Sequence, residues 1–191
     1  MSTDPSFRPD LYRGTARFYD EFRPAYPQPL FDDLRERARI TGDGRLLDLA
    51  CGTGQISFGL ASDFVCNSPW DGGLEWQRVM ADTVRNWTSE AGVTDRVPTN
   101  LAQHLAEEPH GTVLATAGYT IIGEFGFPTP YEWSVEQLTG FMYSTSILSR
   151  PALGPRCEAF EGDLRKRLLA VEAEGVFRER IAFSYTLMRS P

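Results

Sequence analysis

Arg45-Leu46-Leu47-Asp48-Leu49-Ala50-Cys51-Gly52-Thr53-Gly54-Gln55 reads as a short apolar strand that runs through a small-residue loop into a helix. Leu46, Leu47 and Leu49 form the compact apolar run of a strand buried on both faces, as in a parallel sheet. Asp48 interrupts that run, and a buried acid needs donors, the nearest being the amides of the loop that follows. Gly52 and Gly54 permit positive φ and let a ligand approach the backbone with no Cβ in the way. Gln55 opens the helix, whose N-terminal amides and dipole favour a carboxylate or phosphate beside the loop. The spacing Ala50-x-Gly52-x-Gly54 is not the G-x-G-x-x-G of a dinucleotide fingerprint.

The rest of the composition narrows the classes. A chain of 191 residues predicts one domain over 1–191, since single domains commonly span about 50 to 250 residues. Hydrophobic content of 41% and charged content of 24% are those of a soluble globular protein. No stretch has the apolar length of a membrane span, and Met1-Ser2-Thr3-Asp4-Pro5 lacks a charged-then-apolar leader, so a cytoplasmic protein with no membrane partner is expected. The net charge of −7 repels duplex nucleic acid. Lys166 is the sole lysine and lies outside any Gly-Lys-Ser/Thr context, which removes a Walker A loop. Cys51, Cys66 and Cys157 show no paired spacing, and His104 and His110 lie in a polar stretch, so no metal site is expected. The arginines Arg35, Arg37 and Arg39 alternate with acids and read as a solvated helix face.

Periodicity supplies the elements. Leu30, Phe31, Leu34 and Ala38 predict a helix over 28–39, ended by Thr41-Gly42-Asp43-Gly44. Phe64-Val65-Cys66 is a brief apolar run, and Ser68 to Gly73 is turn chemistry. Trp76, Val79, Met80, Val84 and Trp87 share one face of a helix over 74–88, where the tryptophans read as core. Tyr119 to Phe127 reads as a strand broken by Pro128 and Pro130. Ser134 with Gln137 is a capping-box signature for a helix through Tyr143. A further helix over 156–171 buries Phe160, Leu164, Leu168 and Val171, and the alternation Ile181, Phe183, Tyr185, Leu187 predicts a terminal strand with one buried face.

The run Leu46 to Gln55 closely resembles motif I of the class I S-adenosylmethionine-dependent methyltransferases, written Asp-(apolar)-(Gly/Ala)-Cys-Gly-Thr-Gly. Phe18-Tyr19-Asp20-Glu21-Phe22-Arg23-Pro24-Ala25-Tyr26-Pro27 is similar to the opening segment of their small-molecule branch, which includes trans-aconitate methyltransferase-like proteins. The resemblance implies an α/β, Rossmann-like fold whose parallel sheet is closed by two antiparallel strands. It divides the domain into opening helices at 1–40, a cofactor-loop βα unit at 41–66, and C-terminal helices and closing strands at 67–191. It implies S-adenosylmethionine as cofactor and a small molecule as methyl acceptor. The methionine carboxylate would meet the amides of Cys51, Gly52, Thr53 and Gly54, between Ala50 and Gln55, while Asp48 orients the loop and receives the ammonium. Tyr19 and Arg23 would cover the cofactor and anchor its carboxylate; helix packing and a solvated cation are the other uses open to them. No catalytic base is assigned. The acceptor pocket would draw on 127–153, where Tyr131, Trp133, Phe141, Met142 and Tyr143 serve either pocket or core.

The chain departs from the family in its centre. Phe64 follows motif I by ten residues and already resembles the end of the fifth strand. At about 30 residues per βαβ unit, an absence on the order of 70 to 80 residues follows, covering the second to fourth strand units. The ribose-gripping acid, the adenine contact and the loop beneath the sulfonium belong to those units. Asp63 is a substitute acid by position and otherwise a surface acid at a helix end. Loss of the fourth strand leaves the strand Leu46–Leu49 with an open edge, which Phe64–Cys66 or a homodimer would cover. Three functions follow: a small-molecule methyltransferase, a catalytically inactive remnant that binds a partner, and a nicotinamide oxidoreductase. The last is disfavoured by the glycine spacing and by the lack of an acid about 20 residues beyond the loop.

Overall fold

The computed structural model describes residues 12–41, 63–65, 68–96, 112, 115–116 and 118–189. Asp48, Ala50, Cys51, Gly52, Thr53, Gly54 and Gln55 lie outside them, as do both histidines. The fold is mixed α/β: helices α1 (Ala16–Phe22), α2 (Gln28–Ala38), α3 (Glu75–Glu90), α4 (Val135–Tyr143) and α5 (Cys157–Val171) accompany strands β1 (Asp63–Val65), β2 (Thr120–Ser134) and β3 (Val176–Arg189). The described strands form one sheet in the order β1-β3-β2. Two units divide the chain, the first Met1–Pro24, Ser68–Val97 and Glu132–Arg178, the second Ala25–Asn67, Pro98–Tyr131 and Glu179–Pro191.

Helices dominate the first unit. The periodic face of α3 buries Trp76, Met80 and Trp87 as its spacing predicts, while Val79 and Val84 are half-buried. That face meets α5, where Trp87 stands edge-on to Phe160 at 5.6 Å. The indole Nε1 donates to Asp163 Oδ2 at 2.9 Å, which satisfies a donor that burial would otherwise orphan. Burial opposes the charge on Asp163, but the Trp87 and Arg167 hydrogen bonds outweigh it and hold the carboxyl below the usual aspartate range. Helix α4 starts where the sequence predicts: Ser134 Oγ accepts from the Gln137 amide at 3.1 Å, and Gln137 Oε1 accepts from the Ser134 amide at 2.8 Å. It buries Leu138, Phe141, Met142 and Tyr143. Helix α1 packs on α4 at Gly140, where the Phe22 ring fills the space that a Cβ would occupy.

In the second unit α2 buries Leu30 and Leu34. It ends at Ala38, with Arg39 in the left-handed region at φ 52°. Strand β1 pairs antiparallel with β3 in the register Asp63↔Thr186, Phe64↔Tyr185, Val65↔Ser184. Asp63 is therefore a strand residue and not the end of a helix. On the other side of β3, Arg180 reaches the Pro128 carbonyl and Tyr185 stacks on Phe127 and Phe125, so partner numbers fall along β2 as they rise along β3 and the two strands are antiparallel.

Strand β2 runs to Ser134, straight through the predicted break at Pro128 and Pro130. Its place at the edge of the described sheet accounts for this, because a missing N–H is tolerated where no neighbour needs it. Phe160 is fully buried between Trp87 and Tyr143. Replacing it with alanine is expected to cost about 3 to 5 kcal/mol in urea unfolding; a loss below about 1 kcal/mol would contradict this packing.

Candidate functional site

Of the residues that the resemblance assigns to the cofactor, Tyr19 and Arg23 are described. Both are half-buried, Tyr19 on α1 and Arg23 capping its C-terminal end. Arg23 Nε donates to Ser144 Oγ at 2.8 Å, and Ser144, itself buried, donates onward to the Phe141 carbonyl at 2.6 Å. The guanidinium lies 4.0 Å over the Phe141 ring and 4.9 Å from the centre of Tyr19, so cation–π attraction adds to the hydrogen bond. The structure thus brings Tyr19 and Arg23 together and gives Arg23 a packing task between α1 and the end of α4.

The first unit holds an open cleft of about 590 Å³ between α1, α4 and α5, a volume in the range of small-molecule sites. Phe18, Phe22 and Tyr143 give it aromatic walls, and Glu136, Glu158 and Arg165 line it with charge. Tyr143 donates to Glu161 Oε1 at 2.6 Å, and Arg150 approaches the same oxygen at 3.7 Å while lying 5.3 Å from the Tyr143 ring centre. Burial and then the Glu161 contact push the Tyr143 hydroxyl well above its ordinary value, so it is a donor at neutral pH. Of the five side chains over 127–153 named as pocket or core, Trp133, Phe141 and Met142 are core, Tyr143 is buried with an edge on the cleft, and Tyr131 is half-buried on β2.

A second polar cluster lies in the other unit. Tyr185 donates to Asp33 Oδ2 at 2.6 Å, and Arg37 Nε donates to both oxygens of Asp33 at 2.9 and 2.8 Å. The Arg37 guanidinium sits 4.0 Å over Phe125, which in turn is 5.1 Å from Tyr185. The four side chains close a ring. Arg37 and then Tyr185 hold the Asp33 carboxyl below its ordinary 3.8. Burial and then Asp33 raise the Tyr185 hydroxyl.

Sequence reasoning missed both clusters, because Tyr143 to Glu161 and Tyr185 to Asp33 are long-range pairs with no common periodicity. Arg37 is exposed, as expected of a solvated face, and also belongs to a fixed network. Among the described residues no group of His, Cys, Asp and Glu is placed to hold a metal ion, and no helix is long and apolar enough to cross a membrane. No protein-family model, curated protein or solved structure matches the chain.

The two shifted groups of the ring titrate in opposite directions. Asp33 contributes stability that is present above its ordinary 3.8 and is lost as pH falls through its lowered value. Tyr185 contributes stability that is full below its ordinary 10.0 and is lost as pH rises through its raised value. Asp33→Asn is expected to flatten the acid limb of the stability–pH curve, and Tyr185→Phe the alkaline limb. An unchanged acid limb in Asp33→Asn would show that the ring does not form in solution.

Proposed function

We propose that this chain is an S-adenosylmethionine-dependent methyltransferase in lineage and binding chemistry, acting on a small-molecule acceptor. The observation that carries the reading is the pairing of motif I with the order of the strands behind it. A short strand begins nine positions after Gly54, at Asp63, and the last strand of the chain runs antiparallel beside it, as in the closing part of the Rossmann-like sheet that the resemblance implies. The half-buried Tyr19–Arg23 pair fits the role of an opening-segment cover, since the stack holds its cation in one place. The bound cofactor supplies a methyl group on a positively charged sulfur. The amides of Cys51, Gly52, Thr53 and Gly54 would hold the methionine carboxylate and Asp48 would take the ammonium, leaving alignment and exclusion of water as the chain's task.

A second reading, a catalytically inactive remnant that acts as a binding protein, is favoured by the same short interval. Nine positions leave no length for the units that carry the ribose acid and the loop beneath the sulfonium. A homodimer covering the sheet edge suits either reading.

Titration calorimetry with S-adenosylmethionine and its demethylated product, with Gly52→Arg as control, separates the two. Micromolar binding that the control abolishes is expected, on a sample whose sedimentation also reads the dimer. No heat from a folded protein would overturn the cofactor reading and leave the remnant.

A further inference from the structure

A second cleft, of about 430 Å³, opens where α2 ends and β3 finishes. Arg37, Ala38 and Arg39 form one wall, Leu187, Met188 and Arg189 the other, and Ile122 closes it from the start of β2. Among the described residues, three arginines and no carboxylate line it, in a chain whose net charge is −7.

Each arginine is placed differently. Arg37 is held by the ring described above: Asp33 takes its Nε and Phe125 lies beneath its plane, while the contact with Asp33 uses neither terminal amino group. Arg39 occupies the left-handed region at φ 52°, where glycine is the usual residue, and among the described residues it is the one non-glycine residue with positive φ. Its side chain lines the cleft next to Arg37. Arg189 comes from the last position of β3. Among the described residues, the side chains of Arg39 and Arg189 make no hydrogen bond or ion pair.

The rest of the described lining is apolar. Ile122 is 49% exposed, and Leu187 and Met188 are partly buried. Guanidinium forks match a carboxylate through paired charge-assisted hydrogen bonds, and the aliphatic walls need an apolar body to cover them. We propose that this cleft binds an amphiphilic monoanion, an aliphatic chain that ends in a carboxylate.

Binding in this cleft does not depend on the methyltransferase reading. Asp63, the first residue of β1, lies opposite Thr186, next to the cleft-lining end of β3. The cleft is at the amino end of β1.

Sodium octanoate is the probe, with octanol and citrate as the apolar and the anionic halves alone, followed by calorimetry on the full chain. Saturable octanoate binding is expected, with octanol and citrate each much weaker. Arg39→Gln and Arg189→Gln, both at exposed positions, are each expected to weaken it by about tenfold. Asp33→Asn, which releases Arg37, is expected to weaken it with the circular dichroism unchanged. Absence of saturable binding, octanol binding as well as octanoate, citrate binding as well as octanoate, or affinity unchanged in both arginine variants would each overturn the proposal.

Discussion

A buried tyrosine hydroxyl must find an acceptor, and both units are organised around that requirement. Tyr185 points its hydroxyl at Asp33 in one, and Tyr143 points its hydroxyl at Glu161 in the other. In each case an arginine joins the same carboxylate and lies over an aromatic ring, Arg37 over Phe125 and Arg150 over Tyr143 itself. The arrangement answers three costs together: the phenol keeps a partner, the carboxylate keeps a counter-charge, and the guanidinium plane is covered. Asp33 also ties α2 to the last strand, so one carboxylate holds both Tyr185 and Arg37 beside the cleft.

The local part of this fold was legible from the chain. Trp76, Met80 and Trp87 recur at helical spacing and are buried as that spacing demands, and the capping pair Ser134 and Gln137 marks the start of α4 in the sequence itself. The alternation Ile181, Phe183, Tyr185 marked the inner face of β3. Failures came where neighbours decide. Pro128 and Pro130 end a strand only if the strand is central, and the sequence does not say which strands lie at an edge. Asp63 read as a helix-end acid because its pairing partner, Thr186, is far along the chain. Arg37 is exposed as its spacing predicts, while its stack on Phe125 comes from another element and was not legible in the sequence.

The functional site divides along the same line. The stretch that resembles motif I is a run of consecutive residues whose proposed chemistry rests on backbone amides and glycine freedom, so the sequence alone nominates it. Arg23 is different: the opening segment names it, but its stack on Phe141 and its bond to Ser144 are tertiary facts. The clefts were invisible to sequence reasoning because their walls come from segments far apart in the chain.

The central proposal is that the stretch resembling motif I binds S-adenosylmethionine without the strand units that the resemblance places after it. Hydrogen exchange of the backbone amides across 46–55, with and without S-adenosylmethionine, tests it most directly. The account predicts slower exchange on adding the cofactor, concentrated at Cys51 to Gly54. Identical exchange in the two samples, from a protein whose α3 and α5 amides are well protected, would contradict it.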